Sequence, residues 1–417
     1  MFKTALFLSL LLSSAQALNL KEAIQRAQVN NPLIKEQKQN YKAIKASTSS
    51  VQSSFLPSLD LAYGYDSYST PNFVGETASS SASATLSYNL FNGFKDLSLN
   101  QSAYAKEKSR YYQKKAALED LKLRVSLAYI HYLRTLKEID TAKDALVLLE
   151  KQYKDAKNFQ EQGIFAKNEA LQVHVELLMA QQTLLEAKRN VNIARLSLKR
   201  ELGGSLEKEE LIEELIRHNR EVVYEKLEKK MYENRSELKA TLAEKRSLEH
   251  QHQSLSGEYY PSVDVKLKYQ VAGNDVIPNG GVSFLRNDER SFGVSLAWNL
   301  YEGGKTKDDR SNVFHQSLAF EEKIKDMKLQ LSLQLSQTFQ AFKLSESQIN
   351  VAKMGLEQAK ENYRIVNEQF KYNVANTILL LEAQKLLTRA KESFHKAYFL
   401  NYDAMAQLER IIEEDIF

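Results

Sequence analysis

The chain has no cysteine among its 417 residues, which excludes disulfide staples and thiolate metal sites. It has 5 prolines, with none between Pro71 and Pro261 and none after Pro278. A proline inside a helix costs about 3 kcal/mol, so proline-free tracts of this length leave helices free to run. Glycine is scarce too, at 14, and gathers in short punctuation such as "NGF", "QGI" and "EGGK". No basic block marks the chain for nucleic acid, since 57 Lys and Arg face 53 Asp and Glu. Past the first residues, no run of about twenty apolar residues offers a membrane-spanning helix. That absence leaves β-barrels untouched, because their strands are apolar only at alternate positions. Nucleophile, phosphate-loop and dinucleotide motifs are missing, so the sequence predicts neither an enzyme nor a cofactor. His250 and His252, the one close histidine pair, sit two apart in a helix-like stretch and share no face, which excludes a metal site there.

What is present begins with "MFKTALFLSLLLSSAQALNL". Lys3, the apolar run from Ala5 to Leu12 and Ala15-Gln16-Ala17 form a secretory signal with an A-x-A cleavage site. The expected signal peptide is 1–17, the mature chain begins at Leu18, and the protein is exported from a bacterial cell. Residue 18 is not cysteine, so lipid attachment there is chemically excluded.

Two tracts, 95–160 and 305–370, carry apolar or small residues at steps of three and four, the seam of a coiled coil. In the first tract the seam includes Ile139, Ala142, Leu146, Leu149, Tyr153 and Ala156, and in the second Ile349, Ala352, Leu356, Ala359, Tyr363 and Val366. The second set is the first shifted by 210. Each long tract precedes a shorter helix, 166–202 and 376–412. The duplication reaches further: "FLPSLDLAYGY" matches "YYPSVDVKLKY" at a shift of 204, and "NLFNGF" matches "NLYEGG" at 210. The six extra residues fall in the loop around Pro278. Two repeats follow, 18–204 and 226–417, each reading helix, hairpin, long helix, helix, with hairpins at 55–91 and 259–301. The segment 205–225 between them is an expected connecting helix, amphipathic and bracing the long helices from outside.

The four strands are strictly two-faced. Leu59, Leu61, Tyr63, Leu86, Tyr88, Val263, Val265, Leu267, Val294, Leu296 and Trp298 fall on one side. Asp60, Asp264, Lys266 and Lys268 fall on the other. Hairpins packing on the protein's own core would show the same alternation. Against that reading, the helices direct their seams at each other, and aromatic residues stand near the strand ends as in interfacial girdles. Tilted strands of about ten residues also make a band about 25 Å tall, the height of an outer membrane. Four strands cannot close in lipid, where each unpaired backbone group costs several kcal/mol. Copies must therefore share one barrel, its apolar face on lipid and its charged face on a wet lumen.

"LNLKEAIQRAQVNNPLI", "FLPSLDL", "YYPSVDV", "YNLFNGF" and "WNLYEGG", in this order, closely resemble the TolC family of outer-membrane efflux and export channels. The resemblance covers nearly the whole mature chain. It implies a mainly α fold with a small β part: a long antiparallel coiled-coil α-helical barrel, with four strands per protomer in a shared trimeric 12-stranded outer-membrane β-barrel. It implies a passive exit duct of a tripartite efflux pump or type I secretion system, most of its length in the periplasm. The partners implied are two further copies, a periplasmic adaptor (membrane fusion) protein, an inner-membrane pump and outer-membrane lipid. The family's aperture is closed at two helix turns, here "FQEQGIFAKNEALQ" and "FKYNVANTILLLEAQ". Carried over, the gate and adaptor-tip positions are Gly163, Asn168, Glu169, Phe370, Asn373 and Glu382. The chain departs from the family pattern at Ala375, where a basic residue belongs, and at Leu379, where an acidic one does; Lys167 and Lys371 are candidate replacements. Competing readings are a non-porous periplasmic coiled-coil scaffold and a helical pore-forming toxin.

Overall fold

A computed structural model describes residues 17–71, 77–164, 166–204, 206, 211–215, 222–280, 288–372 and 374–416. Of the signal peptide, only Ala17 lies among them. Eight helices and four strands follow one another in the described chain: α1 Leu20–Asn30, α2 Pro32–Gln52, β1 Ser58–Ser67, β2 Ala78–Asn92, α3 Lys95–Glu161, α4 Lys167–Glu201, α5 Tyr224–Asn234, α6 Ser236–Leu255, β3 Ser262–Gly273, β4 Asp288–Ala297, α7 Lys305–Lys371 and α8 Thr377–Ile412. The chain divides into two compact units. One comprises 1–37, 114–236 and 328–417; the other comprises 38–113 and 237–327.

Helices α3 and α7 are each 67 residues long, about 100 Å at 1.5 Å per residue. The expected seams are where they pack. Ala142, Leu149, Ala156, Ile349, Ala359 and Val366 are all under a tenth exposed. Polar residues set the helix ends. Asn19 caps α1 by accepting from the Glu22 N–H at 2.8 Å, and Asn376 caps α8 by accepting from the Leu379 N–H at 2.9 Å. Glu413, just past α8 in the left-handed conformation, accepts from the Ser236 N–H at 2.8 Å and so caps α6.

The expected connecting helix at 205–225 is not what the described part of that segment forms. Residues 211–215 are extended, with Ile212 in a parallel bridge to Leu18. The Leu18 N–H donates to Leu211 O at 2.8 Å, and the Glu213 N–H donates to Leu18 O at 3.0 Å. The Tyr129 hydroxyl lies 2.8 Å from Leu18 O and 2.7 Å from Glu213 O, and Tyr402 donates to Leu215 O at 3.1 Å. Carbonyls held by these donors are lost to a helical ladder. Helix begins only at Tyr224.

The strands form one antiparallel sheet in the order β1-β2-β3-β4, so β1 and β4 are its edges. Ser58 pairs with Ser87 in the first hairpin, and Ser262 with Ala297 in the second. Shifting the first pair by the repeat offsets, 204 and 210, yields the second pair. The duplication therefore holds at the level of strand register. The second hairpin is shorter than the expected 259–301, because β4 ends at Ala297 and Trp298 lies just beyond it.

Candidate functional site

Register places the two-faced residues in rows across the sheet. Leu59, Leu86, Leu267 and Phe292 are one row; Tyr88, Val265 and Val294 are the next; Phe91, Val263 and Leu296 follow, past a bulge at Leu90. Leu61 and Tyr63 continue the same face on β1. Asp60, Thr85, Lys268 and Ser291 form a row on the opposite face, with Lys266 beside Ser87 and Asp264 beside Asn89. Lys266 and Lys268 thus share a face with Asp60 and Asp264. Among the described residues of this unit no helix covers the apolar face: Leu61 is 79% exposed, Phe292 68% and Leu296 66%. A contiguous bare apolar surface of this kind marks contact with something other than water. Among the described residues no helix is long and apolar enough to cross a membrane. The sheet is the candidate for that contact.

The other unit holds the helix turns. After α3, Gly163 takes φ +74, its N–H donates to Gln160 O at 3.0 Å, and the Ile164 N–H reaches Phe159 O at 2.9 Å. This paired closure needs a left-handed residue at its centre, the reason for glycine. After α7 the Val374 N–H reaches Gln369 O at 2.8 Å, the same bond shifted by 210. Asn373, the counterpart of Gly163, lies outside the described residues.

Asn168 is exposed in the first turn of α4, and Glu169 beside it is half-buried. Glu169 accepts from the Thr377 hydroxyl at 3.3 Å, at the N-terminus of α8, where a helix dipole favours a carboxylate. Phe370 meets Phe159 edge to face at 6.5 Å. Glu382 is exposed on α8. Lys371 pairs with Glu368 of its own helix at 2.6 Å and so bridges nothing, and Ala375 packs beside Val366 and Leu380.

Sequence reasoning passed over two ion pairs here. Lys385 of α8 reaches Glu176 of α4 at 2.6 Å, and Lys391 of α8 reaches Asp144 of α3 at 2.9 Å. Leu381 of α8 inserts among Leu149, Ala156, Ala170, Val173 and Leu177. Beside these contacts lies a cavity of about 270 Å³, lined by Ala145, Leu149, Met179, Ala180, Leu381 and Gln384 among others. Gln384 is 4% exposed, and its Oε1 has no hydrogen-bond partner. Near the turns α8 is thus joined to α3 and α4 by two ion pairs and the buried Leu381 cluster, and further along by Arg410, which reaches Asp120 of α3 at 2.7 Å. Further along α8, burial raises the carboxyl of Glu392, helped by Glu138, and pushes Asp403 up to about 6 against the pull of Arg134.

A family model described as outer membrane efflux protein matches the chain twice, over residues 23–204 and 227–412. No curated protein matches the sequence. Solved structures do match. The Campylobacter jejuni CmeC outer membrane channel superposes with a TM-score of 0.83 at 15% identity, covering 94% of this chain and 85% of that one. The Vibrio cholerae outer membrane protein VceC gives 0.80 at 13% identity, covering 95% and 96%. The open state of the Neisseria gonorrhoeae MtrE outer membrane channel gives 0.76 at 15% identity, covering 95% and 89%.

Proposed function

The chain belongs to the outer membrane efflux protein family, and from that premise we propose that three copies join their sheets into one twelve-stranded barrel. The family fixes the coarse role, an efflux duct of the outer membrane with most of its chain in the periplasm. The finer assembly rests on one observation, the sheet with a bare apolar face and two edge strands. An edge left open in hydrocarbon costs several kcal/mol for each unpaired group, so the edges must be closed by other copies.

On this reading Leu59, Leu61, Tyr63, Leu86, Tyr88, Val263, Val265, Leu267, Val294, Leu296 and Trp298 meet lipid, while Asp60, Asp264, Lys266 and Lys268 line a wet pore. The duct is passive: an inner-membrane pump supplies the work and a periplasmic adaptor couples the two at the helix turns. Gating is a shift of α7/α8 against α3/α4 at those turns, with Gly163, Asn168, Glu169, Phe370, Asn373 and Glu382 at the aperture. Rings of Glu169 and Glu382 from three copies concentrate negative potential and favour cations.

Detergent extraction followed by planar-bilayer recording tests the whole reading. The expected result is a heat-modifiable trimer that conducts, with ion selectivity altered by Glu169→Gln together with Glu382→Gln. A water-soluble monomer without conductance favours the periplasmic scaffold instead. Selectivity unchanged in the double variant removes both carboxylates from the aperture.

A further inference from the structure

We propose that β4 of one copy extends to Glu302 and pairs antiparallel with β1 of the next copy in one defined register, Asn299 opposite Asp60 and Trp298 opposite Leu61, with Leu300 as a bulge. This rests on the shared-barrel reading above and adds to it which residues meet across the junction.

The register comes from the repeat. The offsets 204 and 210 carry the β1–β2 pairing onto the observed β3–β4 pairing. Applied to the β2–β3 pairing, they turn Asn89↔Asp264 into Asn299↔Asp60, and Tyr88↔Val265 into Trp298↔Leu61. The bulge at Leu90 becomes one at Leu300, after which Tyr301 faces Leu59. The faces agree: Val294, Leu296, Trp298 and Tyr301 meet Tyr65, Tyr63, Leu61 and Leu59, the polar row continues, and only Phe292, opposite Ser67 at the far end, lacks an apolar partner. A shift of one residue would turn the whole face of one strand over.

Four features of the single chain mark the missing strand. First, β2 runs to Asn92, whereas β4 stops at Ala297, short of the counterpart Glu302. The end of β2 is held by Ser262, Val263 and Asp264 of β3. For β4 that role falls to Ser58, Leu59 and Asp60, which lie on the far edge of the same sheet. Second, the Asn89 amide donates to Asp264 at 2.8 Å, while Asn299 turns onto its own Glu302 and Asp60 has only the Ser58 hydroxyl at 3.4 Å. Third, Gly93 at φ +69 lies where an added Cβ would stand 2.4 Å from Gly257 O. Its counterpart Gly303 keeps φ +63 with nothing within 4 Å. Fourth, Trp298, Leu300 and Tyr301 are 56%, 78% and 85% exposed.

The two junctions differ in one respect. Lys95 pairs with Glu258 in the first, but Ser53 and Ser54 stand where Gly257 and Glu258 would be in the second, and Lys305 pairs with Asp309 instead. The junction between copies therefore has no counterpart of the Lys95–Glu258 ion pair.

The absence of native cysteine makes disulfide trapping a clean test. Residues directly opposite lie about 4.5–5.5 Å apart and diagonal ones about 7–8 Å, beyond normal disulfide reach. Asp60→Cys with Asn299→Cys, and Gly64→Cys with Ser295→Cys, are the matched pairs. At Gly64 an added Cβ meets only Ser81 Oγ, at 3.8 Å. Ser58→Cys or Ala62→Cys, each with Asn299→Cys, are the diagonal controls. Oxidation of membranes should turn the matched pairs into reducible covalent dimers and trimers, several-fold more than the controls. Stronger cross-linking in a control, or none in any pair while single-cysteine chains still run as heat-modifiable trimers, overturns the register and leaves the shared barrel standing. No trimer from the unsubstituted chain removes the shared barrel itself, and the register with it.

Discussion

On the proposed gating, removing the two ion pairs that join α8 to α3 and α4 nearest the turns should open the duct. Lys385→Gln with Lys391→Gln removes both charges and shortens each side chain by one atom, keeping most of its packing while deleting the contacts to Glu176 and Asp144. Both pairs are partly wet: side-chain exposure is 50% and 18% for Lys385 and Glu176, and 28% and 67% for Lys391 and Asp144. Pairs of this kind are worth about 0.5–1 kcal/mol each after screening by solvent. Two per copy in three copies opening together gives about 3–6 kcal/mol. At 1.4 kcal/mol per tenfold change, that moves the closed-to-open ratio by about 10²–10⁴. Planar-bilayer recording reads this as longer and more frequent high-conductance events. The gain should shrink from 0.1 M to 1 M salt, as the screening length falls from about 10 Å to about 3 Å. Exchanging the charges, Lys385→Glu with Glu176→Lys, should restore part of the closed state, which simple loss of packing would not do. Conductance equal to that of the unsubstituted trimer at low salt would refute the role given to these pairs.

Three further outcomes are expected. Gly93→Ala puts a Cβ against Gly257 O in a left-handed conformation and should lower thermal stability by more than the roughly 1 kcal/mol of the conformation alone, whereas Gly303→Ala in the unassembled chain should show only that smaller loss. Tyr129→Phe leaves the Leu18 and Glu213 carbonyls without their hydroxyl donor, at about 1–3 kcal/mol, and should speed proteolysis at residues 211–215. Burial keeps the proton of Asp403 up to about pH 6, above the free side chain's 3.8, so its contribution to stability grows as pH falls from 7 through 6 towards 4; Asp403→Asn should flatten that rise and raise the melting temperature at pH 7.5.

The parts legible in the sequence are those with a period. A seam at three-and-four spacing located α3 and α7 to within a residue or two, and alternation assigned the strand residues to their faces as far as the bulge at Leu90, because each signal is repeated many times along one element. Single contacts between distant elements leave no such trace. Glu176 and Lys385 are 209 apart, on helices that each carry several other charged residues, so neither stands out from its neighbours. The family pattern pointed to Glu382, three residues away on the same helix. The segment at 205–225 failed for another reason. "LIEELIRHNR" has helical spacing, but in its described part, 211–215, the strand-like bond to Leu18 and the tyrosine hydroxyls of α3 and α8 hold the backbone out of a helix. Tertiary hydrogen bonds of that kind outweigh a local preference worth tenths of a kcal/mol per residue. The asymmetry between the strand ends leaves no trace in the sequence, because the repeat makes β2 and β4 look alike, while only β2 has a neighbouring strand on both sides in the same chain.

That asymmetry bears on how the sheet reaches the membrane. β1 and β4 each contribute 10 residues to an edge, and about half the backbone groups of an edge strand point away from its single neighbour. Roughly ten unpaired N–H and C=O groups per edge, at several kcal/mol each in hydrocarbon, amount to tens of kcal/mol per copy. A folded domain is stable by only about 5–15 kcal/mol, so one copy cannot enter lipid with both edges bare. In water the same groups are solvated and the open sheet is tolerable, although its apolar face is not. The order that avoids both penalties has edges meeting first, at the membrane surface, and the closed ring entering as a unit. On the proposed register, the inter-copy junction, without a counterpart of the Lys95–Glu258 ion pair, would form by backbone pairing and by Trp298 and Tyr301 closing over Leu61 and Leu59, and that register would decide whether an unbroken apolar band faces the lipid.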